Sequence, residues 1–280
     1  MKKISILATS AVLLASAVTL ASAADLPSRE APPPDVPPPP AWTGFYFGVN
    51  GGYTWTGSNT INQTYADTWA GGFATHAALG DIPSQVSVGS SGFLGGGQVG
   101  FNWQFSNNFV IGAEADIQGL TGGTKTANVL SGNSATSFSR GLSELGTVRA
   151  RVGFLATPIL LIYATGGLAY GQADLTGNYY GAWSPVLQLI DNQSQTGVGY
   201  AVGGGVEWLF AKNWSAKAEY LYYDLGSVTT TGVQYSYKSP AGVAQISTAQ
   251  SSSSFNGHVV RVGLNYHVNW GAPAPIAAKY

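Results

Sequence analysis

The chain is poor in charge. Twelve Lys and Arg and thirteen Asp and Glu among 280 residues make 9%, against ~25% in ordinary soluble domains. That is too little to coat a water-facing surface of this size. A formal net charge of −1, with no basic run, removes the electrostatic case for nucleic acid as a partner. Cysteine is absent, which excludes disulfides and thiolate zinc sites. The three histidines, His76, His258 and His267, show neither H-x-x-x-H nor H-E-x-x-H spacing. Beyond the N-terminus no apolar run reaches about 18 residues, so no helix is expected to span a bilayer.

What is present begins with an export signal. Lys2 and Lys3 precede an apolar run from Ile4 to Leu20, and Ala21-Ser22-Ala23 has the small-x-small form of a cleavage site. Residues 1–23 therefore read as a signal peptide, with a mature start at Ala24. Residues 24–41, ADLPSREAPPPDVPPPPA, form a proline-rich arm, extended and semi-rigid, unable to pack a core.

From Trp42 the chain alternates with period two in eight segments: WTGFYFGVNGGYTW, GFLGGGQVGFNWQF, FVIGAEADIQG, ELGTVRARVGF, ILLIYATGGLAYG, GVGYAVGGGVEWLF, WSAKAEYLYYDL and HVVRVGLNYHV. Each has about the length that a tilted strand needs to cross a bilayer. In the first, Phe45, Phe47, Val49, Tyr53 and Trp55 share one face, and the other holds Tyr46, Gly48, Asn50, Gly52 and Thr54. The connections alternate too. Tight turns near Ser106–Asn108, at Thr157-Pro158 and near Ala211–Asn213 separate long polar links, 56–90, 121–139, 172–195 and 226–254. The pattern predicts an all-β fold: an eight-stranded antiparallel transmembrane β-barrel over 42–268, with short periplasmic turns, long extracellular loops and a periplasmic tail at 269–280.

In such a barrel the bulky faces meet lipid. Trp103, Phe105, Phe109, Phe154, Trp208, Phe210 and Trp214 gather beside the tight turns as an aromatic girdle, with Tyr53, Trp55, Phe93, Tyr170 and Tyr222 as the outer row. The opposite faces put Glu114, Asp116, Glu207 and Glu219 with Arg149, Arg151, Lys217 and Arg261 into the lumen. Four acids and four bases read as a self-neutralising network, with cross-strand pairing between Glu114/Asp116 and Arg149/Arg151. An acid–base pair at Glu114 and Asp116 is the catalytic alternative.

Gly95-Gly96-Gly97-Gln98-Val99-Gly100 matches G-x-G-x-x-G, but a dinucleotide site needs a helix next, and FNWQF continues the strand period. Glycine for close strand approach is the better reading. His76 with Tyr65 and Trp69 in the first link is a candidate surface haem site, set against an ordinary loop histidine. A hydrolase would need His258 beside an outward serine, and the sequence selects none.

ADLP, the proline arm, WTGFYFGVNGGY, GGGQVGFNWQ, TVRARVGF, IYATGGLAYG, AKAEYLYYDLG and VRVGLNYHV, in this order over the whole mature chain, resemble the small outer-membrane β-barrels of alphaproteobacteria, of the outer-membrane protein 25/RopB type. The resemblance implies an OmpA-like barrel of the porin-opacity class in the outer membrane, without an enzyme site or resident cofactor. Its associations are with envelope integrity, surface antigenicity and, in some members, haem binding. Outer-membrane lipid, lipopolysaccharide and the barrel insertion machinery are the implied partners, with peptidoglycan or a host surface as further candidates. A small-solute porin and a loop-borne haem or host-surface receptor are the rival readings. The resemblance departs at NWGAPAPIAAKY, which follows Val268 where the family ends on an aromatic; Tyr266, Trp270 and Tyr280 are the candidate terminal signals.

Overall fold

The computed structural model describes residues 42–69, 72–105, 108–131, 134–180, 187–236 and 245–268. The expected signal peptide, proline-rich arm and C-terminal tail, with Trp270 and Tyr280, lie outside the described residues, as do Ser106 and Asn107 of the first tight turn. The elements are β1 (Gly44–Thr56), β2 (Thr60–Asp67), α1 (Phe73–Ala78), β3 (Gln85–Ser87), β4 (Ser91–Gln104), β5 (Phe109–Thr121), β6 (Lys125–Ser131), β7 (Ser134–Thr157), β8 (Leu160–Tyr180), β9 (Leu187–Ala211), β10 (Trp214–Ser236) and β11 (Gln245–Val268).

Eight of these strands form a closed antiparallel ring in the order β1-β4-β5-β7-β8-β9-β10-β11. The ring is sealed by β1 on β11, from Phe45 opposite Val268 to Thr56 opposite Gly257. The eight alternating segments of the sequence fall on these eight strands. Closure is what a bilayer demands, because a free edge there would leave backbone N–H and C=O groups with no water to bond.

The side-chain alternation resolves as lipid outside and polar inside. Val49, Val152 and Leu168 are 64%, 55% and 65% exposed, as a lipid-facing wall requires and a water-facing one would forbid. Trp103, Phe105, Phe109, Phe154, Trp208, Phe210 and Trp214 also stand exposed on that surface. Neighbouring rings touch, with centroids 6.0 Å apart for Trp103 and Phe105 and 5.5 Å for Phe109 and Phe154. Between Trp103 and Phe93 on β4 the wall climbs about 25 Å at ~3.3 Å per residue and ~40° tilt, the height of an outer-membrane apolar band.

The links differ from their sequence reading. Large parts of them are strand, and β7 to β11 run for 24, 21, 25, 23 and 24 residues, well past the outer aromatic row. β1, β4 and β5, at 13, 14 and 13 residues, stop near it. The physical reason is that the Thr-, Ser- and Gln-rich stretches also alternate. Their inner positions are buried, apolar at Ile61, Phe138, Leu175 and Val228 and polar at Gln63, Arg140 and Asp191, and their outer positions face water instead of lipid.

Above the membrane the ring splits. The β9–β10 ladder ends at Tyr200 opposite Asp224, where β10 has an irregularity between Asp224 and Ser227. Gly226 takes a positive φ of 78° there, a bend that a side chain would strain. Beyond it one sheet is β6-β7-β8-β9 and the other β10-β11-β2-β3. We call this pair the head. Phe138, Leu175 and Tyr179 of the first sheet share one buried core with Ile61, Val86, Val228 and Ala249 of the second and Phe73 of α1. The first link, expected as an exposed loop, therefore supplies core.

Val152→Arg should cost about 2 to 4 kcal/mol, as a cation on the lipid face near mid-bilayer does. Leu130→Arg, on an 81% exposed position of β6 in the head, should cost almost nothing. Urea midpoints in lipid vesicles measure both, and equal losses would reverse the assignment of faces.

Candidate functional site

The lumen is filled by side chains from all eight ring strands. An eight-stranded barrel leaves an interior just wide enough for them. Glu114, Asp116, Arg149, Arg151, Glu207, Lys217, Glu219 and Arg261 all point inward, and none is more than 5% exposed. Register sets who meets whom, since Glu114 on β5 lies opposite Arg149 on β7.

Arg149 is the hub. Its Nη2 donates to Glu114 Oε1 and Asp116 Oδ2, both at 2.8 Å, and its Nη1 donates to Glu219 Oε1 at 3.0 Å across the lumen. Arg261 on β11 reaches the same three carboxylates from the other side: Nε donates to Glu219 Oε2 at 2.7 Å, and Nη2 donates to Asp116 Oδ2 at 2.9 Å and Glu114 Oε1 at 3.3 Å. Lys217 Nζ on β10 donates to both oxygens of Glu114, at 2.7 and 2.8 Å. Arg151 takes a different course. It crosses to Glu207 on β9, Nη2 to Oε2 at 2.6 Å, donates to Tyr46 Oη at 2.9 Å, and stacks 4.1 Å from the Tyr163 ring centroid.

Neutral groups fill the remaining valences. Tyr46 donates to Glu114 Oε2 at 2.7 Å, Thr147 to Asp116 Oδ2 at 2.8 Å, and Tyr163 to Glu219 Oε1 at 3.1 Å. Each carboxylate accepts several charge-assisted bonds, the arrangement that offsets desolvation of so many ions. Inward glycine makes the space. A Cβ on Gly112 would crowd Arg151 Cγ at 3.2 Å, and one on Gly100 would overlap the Tyr46 ring. The G-x-G-x-x-G stretch thus lies inside β4, with Gly100 opposite Tyr46 on β1 and Gly96 opposite Asn50.

Two features escaped the sequence reading. Trp42, ahead of β1, turns inward and is 1% exposed, packing with Val110, Leu155, Leu161, Tyr163 and Leu209 across the periplasmic end. Its Nε1 donates to Pro158 O at 3.1 Å. Only its place at the foot of the first alternating segment could have signalled this. The second is a buried Ser215–His267–Glu207 group. Ser215 Oγ donates to Glu207 Oε1 at 2.6 Å and lies 2.8 Å from His267 Nε2, while Glu207 Oε1 is 3.4 Å from the same nitrogen. In a catalytic relay the carboxylate holds the far imidazole nitrogen and the serine proton goes to histidine. Here both partners crowd one nitrogen, and the serine proton is spent on the carboxylate.

Two of the loop candidates, Tyr65 and His76, are engaged within the head. Tyr65 Oη donates to Pro83 O at 2.8 Å, and its ring packs on Phe73 and Tyr179 inside the head. His76 Nδ1 pairs with Asp81 Oδ2 at 2.9 Å. His258 sits in the outer aromatic row, stacked on Trp55 with its Nδ1 2.7 Å from Tyr220 Oη, so its hydroxyl neighbour is a phenol and not a serine.

The family model for the outer membrane protein beta-barrel domain matches residues 10–267, and the chain belongs to that family. The 31 kDa outer-membrane immunogenic protein of Brucella melitensis is 36% identical over 236 residues, covering 81% of this chain and 83% of the relative. The 22 kDa outer membrane protein of Rhizobium leguminosarum is 31% identical over 189 residues, 67% of this chain and 66% of that one. Among solved structures, the outer membrane protein OprG from Pseudomonas aeruginosa aligns with 81% of this chain and 97% of its own, at 11% identity and a TM-score of 0.40. The chain is an outer-membrane protein.

Arg149→Ala should lower the unfolding free energy by about 3 to 5 kcal/mol, because it strands buried carboxylates. Lys212→Ala, in an exposed tight turn, should not move it. Urea titration of vesicle-reconstituted protein separates the two, and equal midpoints would remove Arg149 from the hub of the lattice.

Proposed function

We propose that this outer-membrane barrel is a non-enzymatic, closed structural protein of the envelope that holds its two-sheet head at the cell surface. The observation that carries this reading is the trans-lumen lattice. Arg149–Glu219, Arg151–Glu207, Lys217–Glu114 and Arg261–Asp116 each tie strands from different walls of the barrel. The Trp42 cluster lies across one end of it and the apolar core of the head beyond the other.

A solute would have to break several charge-assisted bonds in a confined space, a barrier that favours the closed reading over a small-solute porin. The buried Ser215–His267–Glu207 geometry favours no hydrolytic chemistry. The Brucella relatives are named as immunogenic, which suits a protein whose head is displayed outward. In this reading residues 1–23 are the export signal, 24–41 a periplasmic arm and 269–280 a periplasmic tail. Lipopolysaccharide is then the neighbour of the outer aromatic row, and the insertion machinery the assembling partner.

Single-channel recording tests it. Native protein in planar bilayers should conduct far less than a general porin, and Arg149→Ala/Arg151→Ala, which removes two trans-lumen ties, should raise the conductance. A native conductance of general-porin size would establish the porin reading in its place.

A further inference from the structure

Among the described residues, the polar links between the two sheets of the head each hold an unpartnered buried atom, and in one of them that atom is a carboxylate oxygen. Arg140 on β7 donates to Ser58 O at 2.8 Å and Ser254 O at 2.5 Å, and covers the Phe255 ring at 4.5 Å. Tyr179 on β8 donates to Gln63 Oε1 on β2 at 2.7 Å, and Ser251 on β11 donates to the same oxygen at 2.8 Å. The third link spans the β9–β10 seam itself. There Thr230 of β10 donates to Asp191 Oδ1 of β9, beyond the point where the ladder between these strands has ended.

Asp191 is 3% exposed, and among the described residues its Oδ2 has no hydrogen-bond partner; Gln63 Nε2, in the same cluster, also has none there. Among the described residues the groups facing Asp191 are Thr230 of β10, Ser251 of β11 and Tyr179 of β8, and of these only Tyr179 titrates. Gln63 of β2 is neutral, Tyr65 of β2 lies behind Tyr179, and Arg140 gives its Nη1 and Nη2 to two carbonyls, its Nε having no partner among the described residues. A buried carboxylate with no cation beside it is costly. A proton removes that cost without needing any cavity.

We propose that Asp191 is an acid-operated latch: protonated, it closes the β9–β10 seam of the head, and its ionisation loosens that seam. Burial, the largest influence on the group, pushes its carboxyl above the usual range despite the opposing Thr230 bond and the nearby Ser251 hydroxyl. A folded-state value above the unfolded one (~3.9) stabilises the closed form fully below the unfolded value, and this stabilisation is lost as pH rises through the folded value. The head is therefore tighter in acid and looser at neutral pH. The latch lies on the extracellular side, beyond the lumen lattice, so it is independent of whether the barrel conducts.

The native chain has no cysteine, so nitroxide labels at Gln193→Cys on β9 and Thr231→Cys on β10 report the seam alone. In vesicle-reconstituted full-length protein the inter-label distance should be short and narrow at pH 4.5. It should convert to longer, broader distances by pH 8.5, the closed-to-open ratio changing at most tenfold per pH unit, as one proton allows. Asp191→Asn should stay short throughout, and Asp174→Asn, on an outward carboxylate of the head, should behave as native. Thr230→Val, which removes the hydrogen bond that spans the seam, should weaken the closed form and move the opening to lower pH. PH-independent native distances would overturn the latch, as would an Asp191→Asn variant that still opens or an unmoved transition in Thr230→Val. Closure at pH 8.5 on adding calcium would also overturn it, by showing a metal site where we infer a proton.

Discussion

Everything in this molecule follows from the bilayer's inability to hydrogen-bond a backbone. A strand crossing it must be paired on both sides, so the sheet has to return on itself, and the β1–β11 pairing is the contact that makes it do so. Once eight strands are closed the interior volume is fixed, and the small size of that volume decides what can occupy it. Water in quantity cannot, and apolar side chains would compete with the outward face for the same alternating positions. The lumen carries ions because the two faces of each strand must differ if the register is to be unambiguous.

Ions in so narrow a space have to neutralise one another nearly atom by atom. Arg149 and Arg261 do this by sharing Glu114, Asp116 and Glu219. Their planar forks suit such sharing better than an ammonium would, and Lys217, the point charge, is placed where both oxygens of Glu114 meet it. The glycines opposite these long side chains belong to the same design. Gly112 beside Arg151 and Gly100 beside Tyr46 convert missing side-chain volume into room for large ones. A region rich in glycine and a region rich in charge are therefore two sides of one packing solution.

The barrel was legible because its signal is redundant: eight alternating segments, tight turns at one end only, and aromatic rows at both. The inward direction of the eight charged residues followed from period two alone. Pairing did not, since it depends on register and on reach across the lumen. Arg149 meets the Glu114 and Asp116 that sequence proximity suggests, whereas Arg151 crosses to Glu207, a residue on a strand two places away in the ring. Trp42 was equally hidden, because period two alone does not say that a residue ahead of the first strand turns inward. The head was missed for another reason. Ser, Thr and Gln at outward positions look like loop composition, and only the buried partners, Ile61, Phe138, Leu175 and Val228, show that the alternation continues beyond the membrane.

That continuation has a consequence for how rigid the two halves can be. In the membrane the ring is continuous, and no strand can leave without exposing backbone to lipid. Above it three strands have stopped, two others have separated at Tyr200 and Asp224, and exposed backbone can bond to water instead. The cost of opening is therefore set in the head by side chains: the shared apolar core, the Arg140 and Tyr179 bridges and the Asp191–Thr230 contact. Side-chain contacts can respond to their surroundings in a way that a closed ladder in lipid cannot. One chain thus places an almost immovable base in the membrane and a head of independently adjustable stability outside it, with the boundary drawn by where water begins.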